Sequence, residues 1–97
     1  MTAVMATKTI LLSEMGALGI KANVNDMVFQ GGKDPGGWTR DGALVCVIHE
    51  GVGLPNDWNC KDPFTWWDNL GKRVSMVLNR NVYFEWINGC VAALYPA

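Results

Sequence analysis

Apolar and polar residues alternate most clearly at the C-terminal end of the chain. Residues 73–78, 82–87 and 90–95 read as three successive strands, separated by Asn79-Arg-Asn81 and by Asn88-Gly89. Asn-Gly between alternating apolar residues is the strongest short hairpin signal, because both residues tolerate the positive φ of a type I′ turn. A two-residue turn there pairs Ile87 with Cys90, Trp86 with Val91 and Phe84 with Ala93. The expected core face then carries Val74, Met76, Leu78, Val82, Phe84, Trp86, Val91, Ala93 and Tyr95. The opposite face carries Arg73, Ser75, Tyr83, Glu85, Ile87, Cys90, Ala92 and Leu94. This second set is too apolar for open solvent, which predicts a partial cover, either the chain's own N-terminal segment or that of a neighbour.

Upstream, Asp41-Gly42 opens a nearly continuous apolar run, Ala43–His49, the pattern of a strand buried on both faces in the middle of a sheet. Met27–Gln30 is a short apolar run with strand character, preceded by a turn at residues 23–26. Residues 31–37 hold four glycines and a proline, so they form a loop or hinge. A phosphate cradle is rejected there, because Lys33 is followed by Asp34 and Pro35 where a P-loop needs Ser or Thr and then a helix. Residues 56–72 are a polar and aromatic excursion; Asp62 as cap and Pro63 as first helical residue predict a short helical turn near residues 62–67. The first twenty residues fit neither period decisively and predict either an extended arm or a short helix docked on something else.

These elements predict a mainly β fold. It is a small antiparallel sheet, sandwich or barrel with a C-terminal three-strand meander and an N-terminal arm, in one domain. Residues 1–30 form the arm or first strands, 31–37 the glycine-rich loop, and 38–97 the β domain.

Composition sharpens the expectation about partners. The 97 residues are 49% apolar and only 18% charged, and they include five Trp, five Met, three Phe and two Tyr. A chain this short has one core and little room to enclose so many large side chains, and these residue types are enriched at interface centres. The expected interface residues are Leu11, Leu12 and Met15 in the arm, Trp38, Trp58, Trp66 and Trp67 in the loops, and Tyr83 and Ile87 on the second sheet face. Partners are expected to be proteins, copies of the chain itself or other subunits of an assembly. Eight basic and nine acidic residues, nowhere clustered beyond two of one sign, argue against a nucleic-acid partner and against an anionic membrane. Lys8, Glu14, Gly16 and Gly19 break the N-terminal apolar stretch as a signal or membrane segment, so a virion or cytoplasmic location without a signal peptide is expected.

Candidate chemistry is sparse. His49 is the only histidine, and Cys46 points to the opposite side of its strand, so no Cys-His nucleophile pair comes from that strand. The carboxylates Asp57, Asp62 and Asp68 read as loop and turn formers. Cys46, His49, Cys60 and Cys90 are ligand types that suit zinc, but the close ligand pairs of structural zinc sites are missing, so no metal and no cofactor are expected. Cys60 and Cys90 are the pair that an oxidising environment could bridge; free thiols are the default.

Over residues 42–97, Arg73-Val-Ser75 followed by Tyr83-Phe-Glu-Trp-Ile-Asn-Gly89 resembles, over a short stretch, small βγ-crystallin-type domains. The residues 71–76 depart from that family's calcium motif, and no family membership is drawn from it. The expected function is a non-enzymatic structural or interaction subunit of a larger assembly, such as a capsid decoration, minor capsid or tail component of a phage or virus particle. The alternative is a stand-alone binding module, inhibitor-like, lectin-like or βγ-crystallin-like.

Overall fold

A computed structural model describes residues 1–40 and 42–97; Asp41, expected to open the central strand, lies outside the described residues. The chain runs α1 (Ala3–Leu18), a single 3-10 turn (Val24–Asp26), β1 (Val28–Gln30), β2 (Val45–Ile48), α2 (Pro63–Leu78), β3 (Val82–Trp86) and β4 (Val91–Pro96). The four strands form one antiparallel sheet in the order β1-β2-β4-β3. Both helices pack on one face of it, against Val28, Val45, Val47, Ala92, Leu94, Val82 and Phe84. The expectation of a mainly β sandwich or barrel is therefore overturned: this is a mixed α/β fold, two helices on a four-stranded sheet.

The N-terminal segment is a helix and part of the core. Thr2 caps it by accepting the Met5 N–H at 3.1 Å, and Gly19 ends it in the left-handed conformation, with the Ile20 N–H donating to the Met15 carbonyl at 2.8 Å. Ala6, Thr7, Ile10, Leu11 and Met15 are buried, and Glu14 pairs with Arg73 of α2. The side chains of α1 are apolar on most sides, so the sequence carries no clear helical stripe.

Residues 73–78, expected as a strand, are the last turns of α2. The Asp62 carboxylate accepts the Thr65 N–H at 3.1 Å and Pro63 opens the helix, as expected, but the helix continues for 16 residues. Pro63, Trp67, Leu70, Gly71 and Val74 form its buried stripe, whereas Met76 is 82% exposed. Asn79 sits at φ 51° as the helix C-cap, and the Arg80 N–H donates to the Ser75 carbonyl. Left-handed Asn serves helix ends and hairpin turns alike, which explains the misreading of Asn79–Asn81 as a strand-to-strand loop.

The hairpin between β3 and β4 exists, with a register one residue away from the expected one. Trp86 pairs with Ala92 and Phe84 with Leu94. Neither Asn88 nor Gly89 has positive φ. Instead the Asn88 Oδ1 accepts the Cys90 and Val91 N–H groups, and the Ile87 N–H donates to the Val91 carbonyl, which makes a longer turn. That slip moves Val91, Ala93 and Tyr95 off the expected core face and puts Ala92 and Leu94 beneath the helices.

The second sheet face is covered by the chain's own glycine-rich segment, not by an arm. Asp34 accepts the Trp38 N–H at 2.6 Å and the Thr39 hydroxyl at 2.7 Å, folding the segment back on itself. The Arg40 guanidinium lies 4.7 Å over the Tyr95 ring and pairs with Glu85 at 2.6 Å. On the same face of the sheet, Cys46, Val91 and Ala93 are fully buried.

Candidate functional site

Strand β3 is an edge of the sheet, and its open side is managed by α2. In its ladder with β4, the Ala97 N–H donates to the Asn81 carbonyl and the Ile87 N–H to the Val91 carbonyl. By alternation, Val82, Phe84 and Trp86 turn their backbone groups away from β4. The Ser75 hydroxyl closes this edge at Val82, accepting its N–H at 3.1 Å and donating to its carbonyl at 2.8 Å. Gly71 lies next: a Cβ there would sit 2.8 Å from the Phe84 nitrogen, so only glycine lets the helix come this close. Covering an edge with a helix blocks uncontrolled strand pairing.

Toward its N-terminal end, α2 leaves a groove of about 390 Å³ beside β3, lined by Phe64, Thr65, Asp68, Tyr83, Phe84, Glu85 and Trp86. Phe64 stands edge-on to Trp86 with ring centroids 5.0 Å apart, although Phe64 is 62% exposed. The Trp86 indole N–H is buried with no hydrogen-bond partner among the described residues. Asp68 and Glu85 are the two carboxylates in the wall, and no cationic residue lines it. The long loop and the β3–β4 turn adjoin this end: the Asp57 carboxylate lies 4.0 Å from the Cβ position of Gly89, and the Trp67 indole N–H donates to the Pro55 carbonyl at 2.9 Å. Trp58, on that loop, is 73% exposed.

The residues expected at an interface divide into three groups. Leu11, Met15 and Trp67 are core residues, Leu11 and Met15 because α1 turns them inward and Trp67 because it packs edge-on to Trp66 and Phe84. Leu12, Trp38, Trp58 and Tyr83 are exposed. Trp66 and Ile87 are half-buried. Only Tyr83 of this set lines the groove; Phe64, Asp68, Glu85 and Trp86 are not among the residues expected at an interface, Asp68 being expected as a turn former and Trp86 on the core face. The signal that could have found Phe64 is its place at the second position of a helix opened by Asp62 and Pro63, one residue away from the buried stripe.

His49 is sealed inside. Its ring lies 4.9 Å from that of Trp67, and neither ring nitrogen has a hydrogen-bond partner among the described residues. Loss of solvation lowers its pKa to about 4; the nearby backbone of Val91 and of His49 itself favours the charged form only weakly. A neutral imidazole without access to the surface offers no general base. Cys46 is likewise inert, its thiol pushed up to about 12 by burial and by the Asp34 charge. Cys46, Cys60 and Cys90 are all free thiols, the last two half-buried. Among the described residues, no group of three or more His, Cys, Asp or Glu is placed to hold a metal ion, and no helix is long and apolar enough to cross a membrane. Comparison with known proteins finds no matching family model, curated relative or solved structure.

Proposed function

We propose that the chain is a non-enzymatic interaction module that docks a partner protein at the aromatic groove between α2 and β3. The observation that carries this reading is Phe64, a large aromatic left 62% exposed on the rim of a groove that also holds half-buried Trp86, exposed Tyr83 and buried Phe84. Partly buried aromatics around a concavity are the anchors that protein interfaces use. The sealed His49 and the protonated Cys46 support a role without catalysis.

An exchangeable N-terminal arm no longer supports membership in an assembly, because α1 completes this chain's own core. What supports it is the apolar surface that remains, Trp58 and Phe64 foremost. The narrower expectation of a phage or virus particle component draws on composition, and in that setting the groove is the face that meets a neighbouring subunit.

The test is a titration of the isotope-labelled full chain with a mixture of blocked tetrapeptides, followed by amide and indole NMR shifts. Docking at the groove predicts shifts clustered at Phe64, Asp68 and residues 83–86. Shifts scattered over the surface, or none at millimolar peptide, would sink the proposal.

A further inference from the structure

Building on the docking reading above, we propose that the groove receives an arginine side chain of an extended partner segment, held between Phe64, Tyr83 and Trp86 and the unengaged carboxylate oxygens of Asp68 and Glu85. Charge complementarity selects this occupant. The wall carries two carboxylates and no cation. Each carboxylate is engaged from outside the groove by one oxygen alone. Asp68 Oδ2 lies 3.3 Å from Lys72 Nζ, and Glu85 Oε2 lies 2.6 Å from Arg40 Nη2. Asp68 Oδ1 and Glu85 Oε1 have no hydrogen-bond partner among the described residues.

An anionic guest meets repulsion from this wall, and a neutral apolar guest strips water from two charged oxygens without replacing it. A guanidinium meets both demands. It is planar, weakly hydrated and able to stack on aromatic faces, and its several N–H donors can reach carboxylates on either side. Both outer ion pairs involve side chains more than a third exposed, so they are weak, and a guest cation can share or displace them.

Three blocked tripeptides test this on the full-length chain: Gly-Arg-Gly, its citrulline counterpart, which keeps the shape and loses the charge, and Gly-Glu-Gly. The expected result is saturable shifts at Tyr83, Glu85 and the Trp86 indole with the arginine peptide, binding about two- to fivefold weaker with citrulline, and no binding with glutamate. Asp68→Asn and Glu85→Gln, both surface changes, should each weaken the arginine peptide by a similar factor while leaving the rest of the spectrum in place. Phe64→Ala should do the same. Equal binding of the arginine and citrulline peptides, or silence from all three while the mixed tetrapeptides bind, overturns arginine recognition and leaves docking intact. Silence from both peptide sets overturns the docking reading itself.

Discussion

Acidification should destabilise this fold from about pH 6.5 downward, and the cause is one side chain. His49 is 1% exposed, and its folded-state pKa is about 4 against an ordinary 6.5. Between those two values the unfolded chain binds a proton that the folded chain refuses, so stability falls as pH falls from 6.5 to 4. At about 1.4 kcal/mol per pKa unit, the loss on going from pH 7 to pH 4.5 is about 2–3 kcal/mol. That is a large share of the roughly 5–15 kcal/mol typical of small domains. Asp34 and Asp62, whose hydrogen bonds hold their carboxyls below the usual 3.8, add their own loss mainly at lower pH. Urea unfolding at several pH values across this window, on the natural chain and on His49→Phe, gives the answer. The phenyl ring keeps the contact with Trp67 and removes both orphaned nitrogens, so the variant should be as stable or more stable at pH 7 and nearly flat down to pH 4.5. A natural chain with no slope in this window, or a variant with the same slope, refutes the argument.

Three further outcomes follow from the packing of the helices. Gly71→Ala should lower stability by about 1 kcal/mol or more despite alanine's better helix propensity, because the new methyl meets β3 backbone, which cannot swing aside; thermal unfolding checks this. Ser75→Ala leaves the Val82 N–H and carbonyl without partners and should cost about 1–3 kcal/mol in denaturant unfolding, whereas Ser75→Thr should recover part of it. Deleting residues 1–20 removes the buried Ile10, Leu11 and Met15, about 5–9 kcal/mol of burial at about 1.5–3 kcal/mol each. The truncated chain should therefore lose its cooperative transition by circular dichroism; a folded remainder would restore the picture of a detachable arm.

Local signals at element starts were legible in the sequence, and long-range covering was not. The apolar run of β2, the short strand β1, the Asp62-Pro63 helix start and the β3–β4 hairpin can all be read from neighbouring residues. Errors arose where two periods coincide. Val74, Met76 and Leu78 alternate like a strand, yet Pro63, Trp67, Leu70, Gly71 and Val74 recur like a helix, and only the exposure of Met76 decides between them. The first helix hid because its outer positions, Met5 and Leu12, are as apolar as its inner ones, so no stripe marks the buried side. The hairpin register depended on Asn88 using its side chain to close the turn, in place of a positive φ. The groove was out of reach for a related reason: Phe64 and Trp86 are 22 positions apart, and their meeting depends on Gly71 letting α2 settle against β3.

The claim that the unburied aromatics at one end of the molecule form a docking surface can be tested with five fluorine reporters. With every tryptophan replaced by 5-fluorotryptophan, each of the five should give its own 19F resonance, assigned by single Trp→Phe variants. On adding the mixture of blocked tetrapeptides, the Trp86 resonance should move in a saturable manner, while Trp67 in the core and Trp38 on the glycine-rich segment stay in place. Five unmoved resonances, or five that drift together, would contradict the account.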